Sequence, residues 1–291
     1  MIFRTDIAIE ANNGLNTKID GVIVKNKTID NLDITKVKVK TKEAGDKLNK
    51  PIGNYITIEV PILTESIESF ESKAEIISGE ISCMIPKKGP VLVTGLGNSD
   101  ITADNLGPMT ASNILATRHI SKNITNILGL DTLRSVCVIS PGVLAQTGIE
   151  VAEIIHSLIQ SIKPCCTIIV DAFACSDIKR LGRTIQISDS GISPGSGVLN
   201  SRSKIDKETM GIPVISIGVP TVVDTVSVFQ KIFNVEKSDI KNYISVNTDH
   251  MIITAREIDL LIKKGAKFLA MIINSLLHKN LTNAEIEYLM S

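Results

Sequence analysis

Val91-Leu-Val-Thr-Gly-Leu-Gly-Asn-Ser-Asp-Ile-Thr-Ala-Asp104-Asn-Leu-Gly-Pro108 is the stretch that decides the fold of this chain. A short apolar run, Val91 to Thr94, reads as a buried strand, and it runs out into a glycine-rich loop that carries Asp104. Pro108 then reads as a helix opener, because its missing N–H costs nothing in a first turn. A second strand, Thr167-Ile-Ile-Val-Asp171-Ala-Phe-Ala174, brings another acid to its end. In open parallel sheets ligands bind beyond the carboxyl ends of the strands. Two carboxylates delivered there from different strands can share a proton and activate a water.

The pattern spreads outward from this stretch. From Pro90 onward, apolar runs at Val91–Thr94, Val136–Ile139, Thr167–Val170 and Ile212–Ile217 alternate with helical stretches, as βαβ units do. Helices are expected from Pro108 to about His119 and from Thr147-Gly-Ile-Glu150, where Ile154, Ile155, Leu158 and Ile162 form an apolar face. Another is expected to start at Pro220-Thr221, and a last one at the capping box Thr254-Ala-Arg-Glu257, reaching about Leu277. Residues 17–62 read as β-structure, with strands at Gly21–Val24, Thr35–Lys40 and Tyr55–Val60. Lys36, Lys38, Lys40 and Lys42 alternate with Val37 and Val39 and mark a strand's wet face. Residues 64–82 carry Ile67, Phe70, Ala74 and Ile77 at helical spacing. The expected architecture is one α/β domain with a mainly parallel central sheet flanked by helices. Its β-rich N-terminal part (7–88) packs on an α/β core (89–291).

Composition narrows the function. Apolar residues make up 43% of 291 residues, enough for a large core, while aromatics are only 3% and tryptophan is absent. That core must therefore be built from Ile, Val and Leu. Thirty-one basic residues balance thirty-one acidic ones, which speaks against a nucleic-acid backbone binder. The N-terminus has acids and no long apolar run, so no signal peptide is expected, and no segment nears the roughly 18 apolar residues of a membrane span. Cys83, Cys137, Cys165, Cys166 and Cys175 are odd in number and lack metal-knuckle spacing, as expected of free thiols in a reducing cytoplasm.

Three other motifs compete with the paired acids. Gly95-Leu-Gly97 follows a strand, but Asp100 stands where a dinucleotide fingerprint needs its third glycine, and no Walker lysine follows. Gly191-Ile-Ser193-Pro-Gly195 has the spacing of a nucleophile elbow, with Asp224 and His250 downstream in triad order. The elbow uses the N–H of the residue after its serine, and Pro194 has none. Ser188 to Gly197, including Ser190 and Gly191, is read instead as a loop lining a cleft. Gly95 and Gly97 are read as letting backbone approach a bound peptide closely, with Asn98 a donor for a developing oxyanion. His119, His156, His250 and His278 include no His-x-x-x-His pair, so no metal ligand set is assigned and no cofactor is expected.

The ordered words Gly95-Leu-Gly-Asn98, Asp104-Asn-Leu-Gly-Pro108, Pro141-Gly-Val-Leu-Ala-Gln-Thr-Gly-Ile-Glu150, Asp171-Ala-Phe-Ala174, Thr184-Ile-Gln-Ile-Ser-Asp-Ser-Gly191, Pro194-Gly-Ser-Gly197 and Gly211 to Asp224 resemble the germination proteases of spore-forming Firmicutes. The likeness runs from Arg4 to about His278, although the chain is shorter than the family between Asp224 and Asp249. The resemblance implies a fold like that of hydrogenase-maturation proteases and Asp104 and Asp171 as the catalytic acids. It also implies small acid-soluble spore proteins as substrates, a homotetramer, a cytoplasmic location in the forespore or spore core, and cleavage after Glu. Arg118, Arg183, Arg202 and Lys204 are the candidate cations for that acidic residue. The family trims its own N-terminus, and Arg4-Thr5-Asp6-Ile7-Ala8 repeats the logic of the substrate site, which places self-cleavage between Asp6 and Ile7 and makes residues 1–6 a propeptide. The alternatives are a metal-dependent maturation-type peptidase on the same fold and a non-catalytic spore protein that binds without cutting.

Overall fold

The structure, a computed structural model, describes residues 5–8, 10, 19–65, 70–120, 133–195, 203–225, 228–229 and 251–290. Its frame is one sheet of nine strands. Two of them, β1 (Val22–Ile29) and β2 (Leu32–Val39), form a hairpin, closed by Asp30 and Asn31, which both take positive φ as a tight two-residue turn demands. Thr41 caps helix α1 (Lys42–Leu48) through the Ala44 N–H, and β3 (Gly53–Glu59) returns antiparallel to β2.

The next strands, β4 (Val91–Gly95), β5 (Val136–Ile139), β6 (Cys166–Cys175) and β8 (Val214–Asp224), make the parallel half, in the spatial order β5-β4-β6-β8. Strand β7 (Thr184–Ser188) is antiparallel to both β8 and β3, and β9 (Ile252–Thr254) is antiparallel to the end of β8. The α/β class is as read from the sequence, with two refinements. The sheet is mixed, parallel only from β5 through β4 and β6 to β8. The N-terminal strands do not pack on a face of the core; β7 presents an open edge, and β3 extends the sheet there through backbone pairing.

Both faces of the parallel half are covered, which is why its strands are apolar without alternation. Val91, Val93, Ile168 and Val170 face a cluster shared with α2 (Phe70–Ile81), α3 (Leu106–Ala111) and α7 (Ile258–Leu277). Leu92 and Ile169 face the opposite cluster, built with α5 (Val151–Ile162) and α6 (Lys207–Met210), which follow the short α4 (Leu144–Thr147). A last helix, α8 (Asn283–Met290), closes the described chain. No helix among the described residues is long and apolar enough to cross a membrane.

Three local expectations are corrected. Helix α3 ends at Ala111 rather than near His119, because the chain is captured elsewhere. Asn274 of α7 accepts the Leu115 N–H at 3.0 Å and donates to the Asn113 carbonyl at 3.1 Å, and the Thr117 and Arg118 amides both turn to the Val136 carbonyl. Pro220-Thr221 starts no helix; β8 runs through it to Asp224. There Phe173 pairs with Pro220 and Ala174 with Val222, leaving Thr221 as the extra residue of a bulge, the kind of place in a sheet where a proline is tolerated. Thr254 is no cap either: it ends β9, its hydroxyl donating to the Thr221 carbonyl at 2.7 Å, and α7 begins only at Ile258.

Candidate active site

Strand β4 stops at Gly95, whose register partner on β6 is Val170. The next amide, Leu96 N–H, still reaches the Val170 carbonyl at 2.8 Å, and then the chain leaves the sheet. Strand β6 does not stop there. Asp171 is its first residue without a β4 neighbour, although Gly218 of β8 still flanks it on the other side. The acid is therefore not at a strand's end, as the sequence suggests, but at the step where one strand outruns the next.

Asp104 reaches the same step through a loop fastened at both ends. Gly97 has φ +124°, and a Cβ there would collide with the Asp104 carbonyl oxygen, so the loop folds back on itself only with glycine at this position. The Asn98 N–H donates to the Asp104 carboxylate at 2.7 Å. The Asn98 side-chain oxygen accepts from the Asp100 N–H at 2.9 Å and from Gln146 at 2.7 Å, which ties it to the loop rather than offering it to a ligand. Gly95 and Gly107 pack backbone to backbone beneath, since a Cβ on Gly95 would strike the Gly107 carbonyl and one on Gly107 the Leu96 carbonyl. This contact seats α3 on β4 and brings Asp104 over β6.

Asp171 is 8% exposed. Burial drives its pKa well above the usual carboxylate value, the charges of Asp104 and Asp6 push it further up, and the Ala172 N–H, bonded at 2.9 Å, opposes them only in part. Asp104 is also raised by burial, and the Asn98 N–H holds it back. Of the two, Asp171 is the one suited to keep a proton, and Asp104 the one suited to be charged.

Both acids line a cavity of about 290 Å³ that is closed by Gly97, the Gly142–Leu144 turn, Phe173, Thr221 and the Ile192–Gly195 loop. The third carboxylate, Asp6, was read in the sequence only as a cleavage position, yet it lines this cavity too. Its amide donates to the Ala174 carbonyl at 3.0 Å, and its carboxylate accepts the Ala174 N–H at 2.8 Å. Ile7 is fully buried against Phe173, Cys175 and Leu181, and the Ala8 N–H reaches the Gln186 side chain at 3.1 Å.

The remaining candidates scatter. Ser190 turns away to Ser188, hydroxyl to hydroxyl at 2.5 Å, and Gly191, with φ +78°, packs on the Ile205 carbonyl. Arg118 lies at the amino end of β5, opposite the cavity end of the strand, and Arg183 and Lys204 are exposed. Arg202, Gly197 and His250, and the shortened stretch before Asp249 from residue 230 on, lie outside the described residues. Among the described residues no three His, Cys, Asp or Glu side chains are grouped to hold a metal ion. Two features were hidden in the sequence: Thr221, fully buried with an unpartnered hydroxyl at the cavity wall, and Lys50, which contacts the segment before Asp6. Lys50 sits in no recognisable motif, and Thr221 lies in the Gly211–Asp224 word with nothing there to single it out; tertiary pairing brings them here.

Two carboxylates meeting in a cavity at a step between parallel strands are the arrangement of acid-pair hydrolases. A sequence profile of the germination protease family matches residues 4–235. The chain is 39% identical to a germination protease of Caldanaerobacter subterraneus, over 99% of this chain and 98% of that one, and 36% identical to one of Clostridium perfringens, over 97% of each. The chain belongs to the germination protease family, and it is an endopeptidase of the aspartic type. Among solved structures, a nickel–iron hydrogenase maturation protease of Thermococcus kodakarensis is similar at a TM-score of 0.40 and 19% identity, covering 69% of this chain and 99% of that one, too slight a likeness to carry an argument.

Proposed function

We propose that Asp104 and Asp171 are the catalytic pair and that they hydrolyse peptide bonds in small acid-soluble spore proteins as spores germinate. The observation that carries this is the burial of Asp171 at the strand step, within the field of Asp104, in a cavity that the chain's own Asp6 also lines. Asp104, ionised, takes a proton from water as its oxygen attacks the scissile carbonyl. Asp171, protonated, gives its proton to the carbonyl oxygen. The tetrahedral adduct collapses when the amine nitrogen receives a proton from Asp104 and the C–N bond breaks, while Asp171 recovers its proton from the hydroxyl. An acid, an amine and the starting protonation states result.

The same site cuts the chain between Asp6 and Ile7, so that residues 1–6 form a propeptide. The support is the seating of Asp6 on Ala174 and of Ile7 in the apolar cluster beside the acids. Family membership supports the substrate class, and the same reading takes the protein to be a homotetramer of the forespore and spore-core cytoplasm. Incubation with a small acid-soluble spore protein, with products and the enzyme's own N-terminus read by mass spectrometry, tests the proposal. Cleavage and a new Ile7 terminus are expected, both lost in Asp104→Asn and Asp171→Asn; substantial turnover by both variants overturns the assignment.

A further inference from the structure

A cation from the N-terminal sheet extension touches the segment before the cut. Lys50 donates from Nζ to the Thr5 carbonyl at 2.9 Å. Its backbone is locked: the Asn49 N–H bonds Asp46 and the Lys50 N–H bonds the Gly45 carbonyl at 3.0 Å, closing α1 with Asn49 at φ +50°. Gly45 permits this closure, since a Cβ there would come within 2.7 Å of the Lys50 carbonyl oxygen. The lysine is thus presented from a rigid helix end. Burial lowers its pKa, and the carboxylates of Asp6 and Glu10 oppose that fall.

These two carboxylates are not equivalent. Glu10 accepts from the Ser176 N–H at 2.9 Å, the Ser176 hydroxyl at 2.8 Å and the Asp177 N–H at 3.0 Å, and it also takes the Thr5 hydroxyl and lies 3.5 Å from Arg180. It is committed to holding the chain on the exit of β6 and stays with the protein after a cut at Ile7. Asp6 leaves with the propeptide. A desolvated ammonium whose second countercharge departs favours a peptide that brings a new one.

We propose that Lys50 is the specificity residue for an acidic side chain immediately before the cleaved bond, in the chain's own Thr5-Asp6-Ile7 segment and in any peptide that takes its place. The ligand class is an extended peptide whose acidic residue faces the ammonium and whose preceding carbonyl accepts its N–H. This rests on the reading that the Asp6–Ile7 bond is cut at Asp104 and Asp171.

The test is a double-mutant cycle in the full chain, following the Ile7 terminus by intact mass. Asparagine at position 6 keeps an oxygen for the Ala174 N–H and removes only the charge. Asp6→Asn is expected to slow processing by at least about tenfold in the wild-type background and by less than about twofold when Lys50→Met is present. In trans, the peptide Ala-Thr-Glu-Ile-Ala-Ser should be preferred over its Gln counterpart by the wild type, and Lys50→Met should lose that preference through KM. An undiminished acid preference in Lys50→Met overturns the inference alone. A wild type that forms no Ile7 terminus overturns the processing reading instead, and the peptide pair still reads Lys50. Should Lys50→Met fail to fold by circular dichroism, Lys50→Arg must keep the acid preference, and its loss there overturns the inference.

Discussion

Asp6 and Ala174 are joined twice: the Asp6 amide donates to the Ala174 carbonyl at 3.0 Å, and the Asp6 carboxylate accepts the Ala174 N–H at 2.8 Å. Ala174 lies three residues beyond Asp171 on the part of β6 that has outrun β4. The chain's own N-terminal segment is therefore anchored to the strand that carries Asp171 by one backbone bond and one side-chain bond.

That geometry gives the length of residue 6 a measurable consequence. Aspartate is one methylene shorter than glutamate and should reach less far into an acid-binding subsite. Asp6→Glu is expected to speed the appearance of the Ile7 terminus, measured by intact mass over time at fixed pH. Slower processing would refute the argument from side-chain length.

Gly97 makes a second prediction. Its φ of +124° and the collision of any Cβ with the Asp104 carbonyl mean that Gly97→Ala must move the loop that carries Asp104. Strain of about 1–3 kcal/mol is expected in denaturant unfolding. A displacement of this acid by about 1 Å should lower kcat by roughly 100-fold. Wild-type kcat in a folded Gly97→Ala variant would show that Asp104 does not need this loop.

Much of this site was legible in the sequence, and the reason is local. Val91 to Gly97 and Thr167 to Asp171 announce buried strands, and their order along the chain implies parallel neighbours. What could not be read is register. That β4 ends opposite Val170 while β6 continues depends on pairing between residues far apart in sequence, so Asp171 looked like a strand's last residue. Pro220 misled in the same way, because proline signals a boundary unless a bulge in its own strand accepts it, as the extra Thr221 does here. Lys50 belongs to no motif and Thr221 only to the long word Gly211–Asp224, and the β6–β8 bulge accounts for the place of Thr221 in the cavity wall, as the sheet extension through β3 and β7 does for Lys50 beside Thr5.

His278 carries a prediction about the acid side of the stability profile. It is 2% exposed, its Nε2–H donates to the Leu115 carbonyl at 3.1 Å, and its Nδ1 has no partner. Burial lowers its pKa; the Leu115 carbonyl opposes the fall, and Arg134 adds to it. A depressed histidine contributes stability that is present above its unfolded pKa of about 6.5 and is lost as pH falls through the folded value. Urea midpoints should therefore decline below about pH 6.5, and less so in His278→Gln. Equal slopes in the two proteins would remove His278 as the cause.

Asp171 should act with the opposite sign. Its folded pKa is raised, so between the unfolded value of about 4 and the folded value the native state holds a proton that the unfolded chain has lost. Stability contributed by this group is present below about pH 4 and is lost as pH rises through that window. Asp171→Asn removes the titration and keeps the shape, so it should unfold at a temperature at least about 2 °C higher than wild type at pH 7, with the gap closing near pH 4. The same variant should have no detectable peptidase activity. Wild-type kcat should follow a bell in pH, its acid limb set by protonation of Asp104 and its alkaline limb by ionisation of Asp171. Both limbs should be shifted upward, the alkaline one well above the ordinary carboxylate value, because burial raises both acids and Asp171 the more. A variant that is inactive yet less stable at neutral pH would mean that Asp171 is held as a charged structural anchor rather than as the proton donor of the pair.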